Sequence, residues 1–392
     1  SFLGAATTRI LEVGYDNRDA TDLEMKKMRE IVRKSMEEGA MGIGSSLIYA
    51  PGDYASTEEL IELSKVASKY GGMYISHMRN EGNTLLEALD EFIRIAKEAD
   101  ISAEIYHLKA SREPNWEKLD KVIEIVEEAR DQGLKITADI YTYNASSTGL
   151  TGVIPTWVQE GGHDAWIKRM KDPSVRPRLL QDIRDELSEQ PPEKILMVGF
   201  QTPDMSKKYL AKTVAEAAQM RGQPPEEAIV DMVIEDNHRI QCIYFSMSEE
   251  NIRKKIQLPW VSFCSDAGIY SDISKSFRTH PRAFGSFTRV LGKYSRDEKL
   301  FPLEEGIRRL TSFPASNLNL NDRGMLRNNY FADIVIFDSE KVNDNATFED
   351  PLQFSEGVDH VIVNGTPVLL NGQHTNKFSG RFVRGPGYSK DD

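Results

Sequence analysis

The sequence predicts an α/β protein with parallel strands, arranged in a sheet or a (β/α) barrel. Apolar, strand-like runs alternate with amphipathic helical stretches through the first third of the chain. Strands of this kind, buried on both faces and joined by helices, make a parallel sheet or a barrel. Histidines stand at the ends of two successive runs, where the loops of such folds converge.

The segment 21–38 reads as a helix. Thr21 and Glu24 form a capping-box pattern, Met28, Ile31 and Val32 give an apolar face, and Gly39 ends it. Met41 to Leu47 is a strand. A helix follows, with Ser56 and Glu59 at its start, Leu60, Ile61, Leu63 and Val66 on its face, and Gly71 and Gly72 at its end; Met73 to Met78 is the next strand. Leu85, Leu86, Leu89, Phe92, Ile93 and Ala96 mark another helix and 102–108 another strand. Val122, Ile123, Ile125 and Val126 mark a helix capped by Asn115 and closed by Gly133, and 135–143 is again a strand.

Residues 144–258 break this rhythm. They are richer in charge, proline and long helical patterns, with short strands expected at Ile195 to Phe200 and Ile240 to Phe245. This segment reads as an inserted cap. The strand Trp260 to Cys264 restores the pattern, and a helix over 303–312 is opened by Pro302, which suits a first helical turn. From Ala332 the character turns to antiparallel β. Asn364-Gly365 joins two short strands, Asn371-Gly372 marks another turn, and the module has too few strands to bury both its faces.

A formal net charge of -12 argues against nucleic acid or an anionic membrane as partner, because both select basic patches. It leaves a small anionic substrate open, since one buried Arg can hold a carboxylate. The two cysteines, Cys242 and Cys264, cannot make a disulfide framework and read as reduced thiols. No apolar run reaches membrane-spanning length and no signal peptide is visible. The cytoplasm is the expected location. Export stays open, because the chain starts without Met, at Ser1, in strand-like sequence.

Three strand ends carry chemistry: Ser76-His77-Met78-Arg79, Tyr106-His107-Leu108-Lys109 and Ser265-Asp266-Ala267-Gly268. Two histidines at neighbouring barrel-mouth positions suit two neutral imidazoles on one metal, whereas a lone His there is most often a structural hydrogen-bonding residue. Asp266 suits a general base, or a simple turn before glycine. Lys109 lies two residues past His107, so an extended strand end would point both to the same side. Lys109, and Tyr141 at the next strand end, could polarise a carbonyl. Their bland readings are a solvated charge and a core-edge aromatic. Ser147 follows in the loop, and Arg282 in His280-Pro281-Arg282 could grip a carboxylate in two-pronged fashion, or be an ordinary surface Arg.

Taken together, the stretches SHMRNEG (76–82), EIYHLKASREPNW (104–116), ADIYTYNASSTGL (138–150), SFCSDAG (262–268), HPRAFGSFTRVLG (280–292) and the β-rich tail resemble the N-acyl-D-amino-acid deacylase family of the amidohydrolase superfamily. The resemblance covers essentially the whole chain. It implies a TIM-like (β/α)8 metallo-dependent hydrolase barrel with a small β-sandwich. Residues 1–143 would hold barrel strands three to seven, 144–258 the inserted cap, 259–331 the last barrel strand, and 332–392 the C-terminal part of the sandwich. It implies one or two Zn²⁺ ions, with His77, His107 and Asp266 as ligands and Asp266 also shuttling the proton. Lys109 and Tyr141 would polarise the scissile carbonyl, Ser147 would touch the acyl group, and Arg282 would clamp the α-carboxylate.

The family's first-strand His-x-His and second-strand Cys have no counterpart here, since no His precedes His77. An N-terminal segment or a separate chain is therefore expected to complete the barrel. The implied activity is hydrolysis of the linear amide of an N-acyl-D-amino acid to a carboxylic acid and a D-amino acid. Two rivals stay open: another amidohydrolase reaction, on cyclic amides or D-peptides, and a non-catalytic remnant or subunit.

Overall fold

The computed structural model describes residues 1–268 and 278–389. Six parallel strands form the main sheet: β1 (Leu3–Gly4), β2 (Gly42–Ser46), β3 (Met73–His77), β4 (Ser102–Ile105), β5 (Ile136–Ile140) and, after a long excursion, β9 (Val261–Phe263). Their order is sequential, and all five pairings are parallel. Among the described residues β1 and β9 are its two edges. Strand β2 lies so close to β3 that a side chain at Gly42, which sits at φ +152°, would put its Cβ 1.9 Å from the Met73 carbonyl oxygen.

Helices α1 (Ala5–Glu12), α2 (Asp22–Glu37), α3 (Thr57–Lys69), α4 (Leu85–Glu98) and α5 (Lys118–Asp131) connect the first five strands. The capping box of α2 is complete, with the Thr21 hydroxyl accepting from the Glu24 amide and the Glu24 carboxylate accepting from the Thr21 amide. The apolar faces of α2 to α5 meet the sheet through residues such as Met28, Leu60, Phe92 and Val122, which form one continuous core with Ile43, Tyr74, Ile105 and Ile140. A buried ion pair, Arg9 to Glu59 at 2.7 Å, ties α1 to α3.

Three local expectations need correction. The first residues hold only a two-residue strand before α1 begins at Ala5, because Ala-Ala-Thr-Thr-Arg-Ile-Leu-Glu favours helix once the chain has left the sheet. Asn115 does not cap α5. That helix starts after Glu117, and Asn115 instead donates to the Ser111 carbonyl at 3.0 Å. Pro302 precedes the helix Leu303–Leu310 as its N-cap rather than occupying its first turn.

Residues 146–244 contain a second, antiparallel sheet in the order β6 (Ser146–Gly149), β8 (Gln241–Tyr244), β7 (Ile195–Gly199). Its helices pack a separate core around Leu150, Leu179, Met197, Ile229 and Cys242. Strand β6 carries Ser147, which the sequence places in a loop; Ser147 pairs in register with Ile243. A four-stranded antiparallel sheet follows, β10 (Ile334–Phe337), β11 (Val358–Val363), β12 (Thr366–Leu370) and β13 (Gln373–His374). Its turns are as expected: Asn364 and Gly365 both take positive φ, as do Asn371 and Gly372. Among the described residues no helix is long and apolar enough to cross a membrane.

Candidate active site

The C-terminal ends of β3, β4, β5 and β9 open into one cavity of about 750 Å³, walled on its far side by the inserted segment. Its lining includes His77, His107, Lys109, Tyr141, Ser147, Asp266 and Arg282, so every site residue expected from the sequence reaches it. This is the end at which α/β folds of this kind place their chemistry.

His77 is the last residue of β3, and His107 stands two residues beyond β4. His107 Nε2 lies 2.9 Å from His77 Nδ1. The Lys109 ammonium donates to His107 Nδ1 at 2.7 Å and to Glu81 Oε1 at 2.7 Å. Because His107 Nδ1 accepts, its Nε2 carries the proton and donates to His77. Burial lowers both histidines, His77 to about 3, so both imidazoles are neutral and able to ligate a metal. Burial alone would raise Glu81, but His77, Lys109 and His107 outweigh it and hold the carboxyl below its usual range, as the anion.

Lys109 reaches this cluster by a different route from the expected extended strand end. Strand β4 stops at Ile105, and His107 takes a left-handed φ of 41°. The turn is held by Asp139 on β5, whose carboxylate accepts from the His107 amide and whose carbonyl accepts from the Leu108 amide. Such a backbone conformation costs energy in a non-glycine residue and persists where surrounding bonds impose it. Asp266, just beyond β9, repeats it at φ 46°.

Asp266 Oδ2 pairs with Arg282 Nη1 at 2.7 Å rather than joining the histidines. Arg282 begins the helix Arg282–Arg289, and its guanidinium lies 4.4 Å from the Tyr141 ring centroid. His280 orients that residue: its Nδ1 accepts from the Arg282 amide at 3.0 Å, and its Nε2 donates to the Ala145 carbonyl at 2.9 Å. Among the described residues the Tyr141 hydroxyl donates to the weak acceptor Met247 Sδ, at 3.3 Å, and burial pushes its pKa well up, so it is a protonated donor. Ser147 Oγ donates to the Cys242 carbonyl at 2.8 Å.

The cluster fits a zinc ion. His77, Glu81 and His107 each offer a donor atom, all within 4.8 Å of one another, and His77 Nε2 is buried without a hydrogen bond among the described residues. Two neutral imidazoles and a carboxylate are a donor set zinc accepts.

Sequence reading missed Glu81, Asp139 and His280 as parts of this site. The family model described as "Amidohydrolase family" matches residues 3–369. The chain is 31% identical over 388 residues to a D-aminoacylase of Alcaligenes xylosoxydans xylosoxydans, covering 97% of this chain and 69% of that protein. It is 30% identical over 384 residues to an N-acyl-D-glutamate deacylase of the same organism, covering 98% and 69%. The crystal structure of the Bordetella bronchiseptica N-acyl-D-glutamate deacylase, with zinc and a phosphonate mimic of the tetrahedral intermediate, superposes with a TM-score of 0.74 at 29% identity, over 90% of this chain and 65% of that one. The chain thus spans about two thirds of the length of these proteins.

Proposed function

Because this chain belongs to the amidohydrolase family, we propose that it hydrolyses the amide bond of N-acyl-D-amino acids, giving a carboxylic acid and a D-amino acid. The observation that supports the reading is one cavity lined by a histidine pair that could hold a metal, the Lys109 and Tyr141 donors, the Asp266 carboxylate and the buried Arg282. Its volume of about 750 Å³ suits a small molecule.

His77 and His107 would hold Zn²⁺, which when bound supplies a Lewis acid and a water of lowered pKa. Arg282 would bind the substrate's α-carboxylate through its planar fork and so fix which face of the Cα is presented. That carboxylate competes with Asp266 for the guanidinium, and its binding would release Asp266. The freed Asp266 takes the proton of the attacking water and returns it to the departing amine. Lys109 Nζ and the Tyr141 hydroxyl donate to the carbonyl oxygen as negative charge develops there. Ser147 faces the acyl group from the insert side.

The test is hydrolysis of N-acetyl-D-methionine against its L-isomer by the purified, zinc-supplemented chain. D-selective turnover that a chelator abolishes supports the reading. Equal turnover of both isomers, or turnover indifferent to chelation, overturns it.

A further inference from the structure

We propose that Glu81 is itself a ligand of the zinc ion, so that the protein's first coordination set is His77, Glu81 and His107. This rests on the metal reading above and adds the carboxylate that reading leaves unassigned. Glu81 lies four residues beyond His77, in the loop that leaves β3, and packs against both imidazoles. Its Oε2 is 3.4 Å from His77 Nε2, and its Oε1 is 3.2 Å from His107 Nδ1. Donor atoms around a tetrahedral zinc sit about 3.3 Å apart, given bond lengths of about 2.0–2.1 Å. With one donor atom taken from each group, the three lie within 4.8 Å of one another, and rotation of the side chains closes the remaining distance onto an ion.

Charge points the same way. Two neutral imidazoles leave a bound zinc at +2, and the Lys109 ammonium beside them adds a third positive charge in a buried site. Such a site needs an anion. Asp266 is engaged by Arg282, whereas the Glu81 side chain is 11% exposed and already lies against both rings. The competing role for Glu81 is counter-ion to Lys109, at 2.7 Å. That role uses Oε1 and leaves Oε2 turned toward the buried His77 Nε2, which has no hydrogen bond among the described residues. A ligand role uses both facts.

The experiment measures zinc affinity by competition with a chromophoric chelator, and the visible spectrum of the cobalt(II)-substituted protein. The proteins compared are the wild type, Glu81→Gln, Glu81→Asp and His107→Ala. Glu81→Gln keeps the shape of the side chain and removes the anionic donor. It is expected to lower zinc affinity at least about tenfold, a loss that even outer-sphere partners produce, and to displace the cobalt bands; Glu81→Asp should recover part of the affinity. Wild-type affinity and an unchanged cobalt spectrum in Glu81→Gln, with His107→Ala unable to bind, would overturn the ligand role and leave the zinc reading standing. A wild-type chain that binds no zinc would overturn both. Should Glu81→Gln fail to fold, the Glu81→Asp cobalt spectrum decides: displaced bands support the ligand role and wild-type bands overturn it.

Discussion

Arg282 and Asp266 neutralise one another across 2.7 Å inside the cavity that each is proposed to serve. The same guanidinium cannot give its full fork to Asp266 and to a substrate carboxylate at once. Arg282→Ala therefore removes the substrate's anchor. A charge-assisted contact of this kind contributes about 1.5–3 kcal/mol, which corresponds to roughly a 10- to 150-fold rise in KM for substrates with a free α-carboxylate. Steady-state kinetics on N-acetyl-D-methionine and on its carboxamide will check it. An unchanged KM for the acid removes Arg282 from the clamp role.

His107→Ala should abolish zinc retention and turnover together, because the ring touches His77, Lys109 and Glu81 at once. Metal analysis after dialysis and the D-selective assay are the two readouts. Full activity in a zinc-free variant would refute the metal assignment.

Asp139 accepts from the backbone amide of His107 and so holds its left-handed turn. Asp139→Ala leaves that buried amide without its acceptor, at a cost of about 1–3 kcal/mol. The expected result is a lower melting temperature together with weaker zinc binding. Asp139→Asn keeps an acceptor oxygen and should fall between that variant and the wild type. Zinc affinities that rank otherwise would show that the turn does not depend on this carboxylate.

Lys255 is fully enclosed, donates to the Leu108 carbonyl at 2.6 Å, and is lowered by burial from its ordinary 10.5 to about 7. Between those two pH values the unfolded chain keeps a proton that the folded chain has released. Stability from this group therefore rises with pH across that window, by up to about 1.4 kcal/mol per pH unit, and its penalty is fully present below it. The stability of Lys255→Met relative to wild type should fall as pH climbs from neutral toward 10 and level off on the acid side. Urea melts at several pH values measure it. A constant difference would mean that the ammonium is not strained by burial.

The alternating pattern made most of the parallel sheet legible, because strands buried on both faces and capped helices leave strong local signals: Thr21 with Glu24, Gly39, and Ser56. Catalytic candidates at strand ends were legible for the same reason. Glu81 and Asp139 were not. Glu81 lies in a loop whose path no periodicity describes, and only its spacing from His77 could have flagged it. Asp139 stands in a strand that is otherwise apolar apart from Thr137, and a carboxyl at such a position was itself the missed signal, since a buried polar group needs a specific partner. The helical start at Ala5 was obscured by brevity: two strand residues are too few to set a period.

The inserted segment has its own hydrophobic core, separate from that of the parallel sheet, yet Ser147 on one and Lys109 on the other face a common cavity. Separate cores predict two cooperative units of unfolding, each with its own midpoint in denaturant. A ligand that touches both walls binds only when both units are folded. Its binding energy is then shared between them by mass action, and saturating substrate analogue should draw two separate transitions toward one.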